Sequence, residues 1–207
     1  MYIPPAFAET DRAALHAFIA AHPFALLTTA DPAGGAPLVT GLPLILAPEE
    51  GAHGTLYGHF AKPNPQGAAV FTAPSRIIFQ GPDGYISPGW YPTKQEHGKA
   101  VPTWNYQLVD VTGTAEAITD PAAMRALLVR LTDKFESHRA ERWQVSDAPE
   151  SYIAAMLKGI TAFKLPIATL AGKWKLSQNR PAEDRLGVIA GLRADGAEAL
   201  ADVTPVP

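Results

Sequence analysis

The sequence predicts a mainly β fold with added helices, which is the α+β class. Short apolar runs separated by Gly- and Pro-rich turns recur through residues 24–118, a pattern typical of a β-barrel or sandwich. From residue 121 the apolar residues follow helical spacing instead, and residues 160–170 alternate like a strand that returns to the barrel. Because no internal repeat or low-complexity linker divides the chain, we expect one domain over residues 1–207, with a barrel core at about 24–118 and 160–172.

Local signals place the individual elements. Strands are predicted at residues 24–29, 37–46, 55–60, 75–80, 105–118 and 160–170, and helical segments at residues 11–21, 121–158 and 181–193. The first strand is expected to be buried, and Pro43 marks the second as an edge strand or a bulge. Asp120-Pro121 is a helix start, with an N-cap before a Pro at the first position. The tail after Gly196 is expected to fray.

The composition excludes several classes of protein. Hydrophobic residues make up 47% and charged residues 18% of the 207 residues, as in an ordinary globular protein. A net charge of −3 argues against a broad nucleic-acid-binding surface. There is no cysteine, which excludes disulfides, thiolate nucleophiles and cysteine-ligated metals. The chain begins without a signal-peptide pattern and has no apolar run of the roughly 18 residues that a membrane span needs, so we predict a cytoplasmic location.

No catalytic or metal-binding motif stands out. The six histidines show neither HxH nor HExxH spacing: His16, His22, His53, His59, His97 and His138. Ser87 and Ser177 lack a nucleophile elbow, and neither a Walker A loop nor a GxGxxG turn is present. We therefore predict no catalytic residue and no metal ligand.

Two clusters have the composition of a ligand site. Residues 79–91 and 101–106 crowd aromatic, Pro, Gly and amide residues together, which suits the wall of a pocket for a planar ligand. Residues 173–181 bring cations next to Ser, Gln and Asn, which indicates an anion site for a cofactor phosphate or for DNA. The alternative for the second cluster is an ordinary solvated helix. The helices at 121–158 are joined by a connection too long and polar for a helix–turn–helix.

A third segment lies at the end of the strand 55–60. His59 is placed at the strand end and Lys62 in the following turn, where a compact positive charge suits phosphate. An isolated lysine in a Pro-stiffened loop is more often a plain surface residue, and a lone histidine is more often a satisfied hydrogen-bonding group than a ligand.

Six motifs resemble the PaiB family, which is described as FMN-binding negative transcriptional regulators. They are Met1-Tyr-Ile-Pro-Pro, Leu56-Tyr-Gly-His, Lys62-Pro-Asn-Pro65, Gly81-Pro-Asp-Gly-Tyr-Ile-Ser-Pro88, Val101-Pro-Thr-Trp-Asn-Tyr106 and Lys173-Trp-Lys-Leu-Ser-Gln-Asn179. They occur in order over nearly the whole chain. The resemblance implies an FMN-binding split β-barrel of the pyridoxine-phosphate-oxidase type, a homodimer with FMN bound between its subunits.

The resemblance also implies a set of FMN-binding residues. Thr40 and Leu42 would line the pocket from the second strand, and His59, Lys62 and Asn64 would lie near the phosphate. Trp104, Asn105 and Tyr106 would cover the isoalloxazine ring, and Lys175, Ser177, Gln178 and Arg180 would close the site. These groups supply the cations, aromatic wall and amides that FMN binding requires.

Three functional hypotheses follow from the resemblance and the residues. The first is a PaiB-type negative transcriptional regulator that senses redox state or a metabolite, although no DNA-reading motif supports direct contact with DNA. The second is a flavin-dependent oxidoreductase on the same fold. The third is a haem-binding split barrel in which one of the histidines is the ligand.

Overall fold

The fold is described from a computed structural model, which covers residues 1–206 and, for Gln95 and His97, the backbone alone. The chain divides into two compact units. The first unit contains residues 1–18, 79–110 and 171–206, and the second contains residues 19–78 and 111–170. The single domain over residues 1–207 stays a prediction.

The described residues form ten strands and seven α-helices. The strands are β1 Ala8–Glu9, β2 Phe24–Thr29, β3 Leu38–Pro43, β4 Ile45–Ala47, β5 Thr55–Ala61, β6 Ser75–Ile86, β7 Thr103–Gly113, β8 Glu116–Ile118, β9 Ile160–Pro166 and β10 Thr169–Lys175. The helices are α1 Arg12–Ala21, α2 Gln66–Ala69, α3 Thr93–His97, α4 Pro121–Glu136, α5 Glu150–Lys158, α6 Ala182–Ala194 and α7 Glu198–Val203. Both β6 and β7 contribute residues to each unit.

The second unit contains a hairpin and a four-stranded sheet. Strands β2 and β3 pair antiparallel around a turn in which Gly34 takes a φ of 80° and Asp31 accepts hydrogen bonds from the backbone. Strand β3 ends at Pro43, and after Leu44 the chain enters the other sheet, whose order is β4-β5-β9-β8. The prediction that Pro43 marks an edge strand is therefore correct, because β3 lies at the end of its sheet.

Apolar side chains cover the four-stranded sheet on both faces. Phe60 stacks on Phe163, with ring centroids 5.1 Å apart. On the opposite face, Ile45 and Ala162 pack against Leu127 and Leu131 of α4. Helix α4 begins as predicted, because the Asp120 side chain accepts a hydrogen bond from the Ala123 backbone N–H at 2.9 Å. No helix in the described residues is long and apolar enough to span a membrane.

The first unit packs two C-terminal helices on its strands. The strand order here is β1-β10-β7-β6. A cluster of buried side chains forms the core, most of them from β6, α6 and α7: Ile86, Tyr91, Leu176, Val188, Ile189, Leu192, Leu200 and Ala201. The prediction of a frayed tail after Gly196 was wrong. Residues 198–203 form α7, which is held in place because Leu200 and Ala201 are buried in this core.

Several predicted strand boundaries also differ from the structure. The strand predicted at 105–118 is two strands, β7 and β8, and the one predicted at 160–170 is divided between β9 and β10. The strand predicted to end at Gln80 continues to Ile86 through Gly81-Pro-Asp-Gly84, residues whose local pattern is that of a turn. Strand β2 was predicted to be buried, but only one of its faces is buried. On the other face Phe24 and Leu26 are exposed, since successive side chains of a strand point to opposite faces.

Helix α6 approaches the 3-10 turn Pro88–Trp90 at two glycines. A Cβ on Gly187 would lie 1.9 Å from the Trp90 carbonyl oxygen, and one on Gly191 would lie 2.2 Å from the Trp90 ring. Both positions therefore need a residue without a side chain. This close approach fixes α6, and with it the preceding residues 175–180, against the turn that carries Tyr91.

We predict that Gly187→Ala lowers the free energy of unfolding by at least about 2 kcal/mol, although alanine is the better helix former, because the added methyl collides with backbone. Chemical denaturation measures the change. Gly67→Ala is the matched control, since a Cβ there meets no atom closer than 3.7 Å. Equal stability of the two variants would contradict the close approach of α6.

Candidate functional site

Four of the predicted site residues share a small pocket in the first unit. Its volume is about 130 Å³. The lining residues come from three segments of this unit: Phe7, Val101, Pro102, Thr103, Asn105, Lys175, Ser177, Asn179 and Arg180. Asn105, Lys175, Ser177 and Arg180 are thus brought together from the two clusters that the sequence singled out.

A buried hydrogen bond joins the two segments at the base of this pocket. The Asn105 side-chain amide donates to Ser177 Oγ at 2.9 Å, and Asn105 is 1% exposed. Ser177 has a positive φ of 61°, and no other non-glycine residue among those described has a positive φ. Among the described residues, Asn105 Oδ1 has no hydrogen-bond partner although it is buried. A buried acceptor without a partner costs free energy, so it indicates a ligand that supplies a donor.

Lys175 supplies the first positive charge of the pocket. Its ammonium group donates to Thr103 Oγ1 and to the Trp104 carbonyl oxygen. Burial lowers the pKa of Lys175, and repulsion from Lys173 and Arg180 lowers it further. An anionic or carbonyl-rich ligand would relieve this repulsion, since no carboxylate lines the pocket in the part of the chain that the structure describes.

Arg180 supplies the second positive charge and is held by an aromatic ring. Its guanidinium group lies 4.7 Å from the centroid of the Tyr91 ring, within the range of a cation–π contact. Tyr91 is buried, and burial raises the pKa of its phenol. The arrangement leaves Arg180 as a positioned cation at the pocket.

Strand β7 separates the three residues that were predicted to cover a ring together. Asn105 is buried, whereas its neighbours Trp104 and Tyr106 point to the other face of the strand. Trp104 donates from Nε1 to Asp83 at 2.7 Å, and the Lys173 ammonium lies 5.4 Å from the Tyr106 ring centroid. Trp104 and Tyr106 therefore form an aromatic face distinct from the pocket that Asn105 lines.

Gln178 has a local structural role. Its Oε1 accepts from the Leu176 backbone N–H at 2.7 Å, and its Nε2 donates to the Trp174 carbonyl oxygen. These bonds close the turn at Ser177, and Gln178 is not among the lining residues of the pocket. Its predicted contact with a ligand stays a prediction.

In the second unit, Thr40 and Asn64 belong to a network centred on Gln66. The Thr40 hydroxyl donates to Gln66 Oε1 and accepts from Asn64 Nδ2 at 2.9 Å. Gln66 Nε2 donates to the carbonyl oxygens of Leu27 and Leu38 at 2.9 and 3.1 Å. Gln66 is 1% exposed, so this network fastens the β5–α2 connection to the β2–β3 hairpin.

The other three predicted residues of this unit lie apart from that network. Leu42 is buried in the core, opposite Ala25. His59 is the cross-strand partner of Ala162, so its side chain points to the face that packs on α4, and burial lowers the pKa of its imidazole. Lys62 is exposed and lines a separate cavity. The phosphate role predicted for His59, Lys62 and Asn64 therefore stays a prediction.

Sequence reasoning missed three residues of these clusters. Thr103 lies two positions before Asn105 and shares its face of β7, but the strand was predicted to begin only at Asn105. Asn179 closes the quoted motif Lys173–Asn179 and lines the pocket. Gln66 follows Lys62-Pro-Asn-Pro65 directly, but no local signal shows that its side chain is buried.

Metal binding finds no support in the side chains described. No three His, Asp or Glu side chains lie close enough together to hold a metal ion among the residues that the structure describes, which leaves out the side chain of His97. His59 Nδ1 is buried without a hydrogen-bond partner in the same set of residues.

Comparison with known proteins agrees with this fold. The solved structure of the FAD and haem binding protein from Mycobacterium smegmatis superposes with a TM-score of 0.60 at 21% identity, covering 81% of this chain and 73% of that one. The family described as "Putative FMN-binding domain" matches residues 1–169. The protein is therefore of the class of FMN-binding domains, with a fold that is mainly β with α, as the sequence predicted.

Two relatives extend the match over the rest of the chain. An uncharacterised protein from Aspergillus fumigatus is 35% identical over 242 residues, covering 96% of this chain and 93% of the relative. Protease synthase and sporulation protein PAI 2 from Bacillus subtilis is 33% identical over 194 residues, covering 93% of this chain and 89% of the relative. This chain belongs to the PaiB family of FMN-binding domains.

Proposed function

We propose that the pocket of the first unit holds FMN by the polar edge of its isoalloxazine ring. That edge presents an N–H donor between two carbonyl acceptors. The observation that carries the proposal is the buried Asn105 Oδ1, which has no partner among the described residues and needs a donor. It lies beside Lys175 and Arg180, whose remaining N–H groups can donate to acceptors on the ring. A volume of about 130 Å³ suits one end of a ring system and not a whole flavin.

The charges at this edge define what the chain would contribute to flavin chemistry. Bound FMN supplies reversible uptake of electrons. Lys175 and Arg180 would orient the ring and favour negative charge on its polar edge, and the hydrogen bond between Asn105 and Ser177 would hold the amide in place. Trp104 and Tyr106 offer an aromatic face on the other side of β7.

We further propose that the protein is a homodimer that associates through the β2–β3 hairpin. Phe24 and Leu26 are 65% and 48% exposed, and Val39 on the paired strand is 58% exposed. The register of the hairpin puts all three on one face, since Leu26 lies opposite Gly41 and Thr28 opposite Val39. A continuous apolar face of this kind is typical of an interface between subunits.

The regulatory role proposed is that of a PaiB-type negative transcriptional regulator whose repression depends on the redox state of FMN. Family membership supports it, together with the name of the Bacillus relative, protease synthase and sporulation protein PAI 2, which refers to sporulation. The net charge of −3 favours contact with DNA through a local patch, or through a partner, over a broad basic surface.

A flavin-dependent oxidoreductase is the second candidate. Cations beside the polar edge of a flavin stabilise its reduced, anionic form, and Lys175 and Arg180 are so placed in the proposal above. A haem-binding protein is the third candidate, supported by the unpartnered His59 Nδ1 and by the likeness in fold to the Mycobacterium smegmatis protein, which binds haem.

We predict that Lys175→Met weakens the binding of FMN and of riboflavin by the same factor, at least about tenfold, because the isoalloxazine edge is common to both. Fluorescence quenching titrations measure the two dissociation constants. Lys94→Met, at an exposed position of α3, is the control and leaves both constants unchanged. A loss of affinity confined to FMN would place its phosphate in the pocket instead, and unchanged affinity for both ligands would show that the pocket does not bind flavin.

Lys62→Ala, tested alongside, weakens the binding of FMN but not of riboflavin if Lys62 contacts the phosphate.

We predict that Leu26→Glu converts the dimer to a monomer, raising the dimer dissociation constant at least about a hundredfold, since it puts a charge into an apolar interface. Sedimentation equilibrium measures the constant. Tyr152→Glu, at an exposed aromatic residue of α5, is the matched control and leaves the dimer intact. A Leu26→Glu variant with the association of the original chain would rule out this face.

We predict that the FMN-loaded protein binds duplex DNA, and that reduction of the flavin changes the affinity at least about fivefold. Binding should weaken as salt rises, because phosphate contacts release counterions. Gel-shift titrations of oxidised and dithionite-reduced protein test this.

Absorption spectra of the purified protein, after addition of FMN or haem and then NAD(P)H, separate the alternatives. Flavin turnover without DNA binding favours the oxidoreductase, and a Soret band favours haem.

A further inference from the structure

The second unit contains a larger cavity that the flavin proposal does not use. It has a volume of about 470 Å³ and lies between strands β8 and β9 and helices α4 and α5. Apolar side chains form most of its wall, chiefly Ile118, Met124, Leu157 and Ile160. We call it the β8–α5 cavity. Its size is in the range of sites that take small organic molecules.

Two lysines lie at one end of the β8–α5 cavity. Lys62 and Lys158 both line it. The Lys62 backbone N–H donates to the carbonyl oxygen of Gly159 at 2.8 Å, so the two lysine-bearing segments are joined beside Lys158. The ammonium groups therefore extend from neighbouring points of the backbone.

Neither lysine has a counter-ion within the described residues. The ion pairs of this unit involve other side chains, such as Lys164 with Glu116 and Arg125 with Glu150, and no carboxylate of the described chain lines the cavity. Two neighbouring cations without an acid attract an anion, and an apolar wall beside them attracts the rest of the same molecule.

We propose that the β8–α5 cavity binds an amphipathic monoanion, a carboxylate with an apolar body of medium chain length. The carboxylate contacts Lys62 and Lys158, and the body lies against Ile118, Met124, Leu157 and Ile160. Binding does not depend on the flavin assignment. A role as an effector site does rest on the proposed regulatory function, for which it names the class of metabolite that would be sensed.

Titration calorimetry with decanoate and with decanol, which has the same chain without the charge, tests the proposal on the full-length, FMN-loaded protein. Decanoate is expected to bind at least about tenfold more tightly than decanol. Lys158→Gln should remove this preference and leave the affinity for decanol and for FMN unchanged. Equal binding of decanoate and decanol by the original chain would overturn the proposal.

A second variant tests the location. Ala154 lines the cavity from the exposed side of α5, so Ala154→Trp should fill it and abolish the binding of both ligands. Ala155→Trp, at the next exposed position of α5 and outside the lining, is the control and should bind decanoate normally. Normal decanoate binding by Ala154→Trp would contradict the location.

The same ligands and variants distinguish two other possible occupants of the cavity. If FMN displaces decanoate from the original chain, the cavity belongs to the flavin site and the proposal fails. If Ala154→Trp alters the oligomeric state in sedimentation, a second copy of the chain covers the cavity and the proposal fails as well. If Lys175→Met leaves the affinity for FMN unchanged, the flavin proposal alone fails. The binding of decanoate to Lys62 and Lys158 is then still expected.

Discussion

The hydrogen bond from Asn105 to Ser177 is the interaction on which the candidate flavin site depends. It joins β7 to the turn after β10 across 72 positions of sequence, and both residues are buried. The bond fixes the amide orientation, and Ser177 takes a positive φ that costs a non-glycine residue free energy. Lys175 and Arg180 lie on either side of Ser177, so the turn that this bond holds also sets the spacing of the two cations.

Alternation along β7 explains why one aromatic motif serves two surfaces. Because successive side chains of a strand point to opposite faces, Val101–Tyr106 cannot present all its large residues to one ligand. Thr103 and Asn105 line the pocket, while Trp104 is held by Asp83 on the other side. The density of aromatic and amide residues that marks this motif in the sequence thus reflects two adjacent requirements, a polar pocket and an aromatic face.

The sequence predicted the elements with strong local signals and missed those set by distant contacts. Asp120-Pro121 begins α4 and residues 24–29 form β2, because caps and strand patterns act locally. Helix α7 was missed, since Leu200 and Ala201 are fixed by packing on Ile86 and Leu192, which no local pattern reveals. Gln66 was missed for the same reason, because its side chain donates hydrogen bonds to the carbonyl oxygens of Leu27 and Leu38, which are distant in sequence. The motifs of the candidate site were recognised in the sequence, but which of their side chains lie together could be seen only in the folded structure.

Two cations without a neighbouring acid among the described lining residues give the pocket its chemical character, and one of them, Lys175, is disfavoured in its charged form. The folded protein lowers the pKa of Lys175 through burial and then through Lys173 and Arg180, so its charged form is disfavoured on folding. That cost is present below the folded pKa and disappears as the pH rises from there towards the unfolded value of about 10.4. A chain that only had to fold would place an acid or an apolar residue here. The proposed flavin would offset both costs at once, because the edge of its ring would offer a carbonyl acceptor to Lys175 and an N–H donor to Asn105 Oδ1.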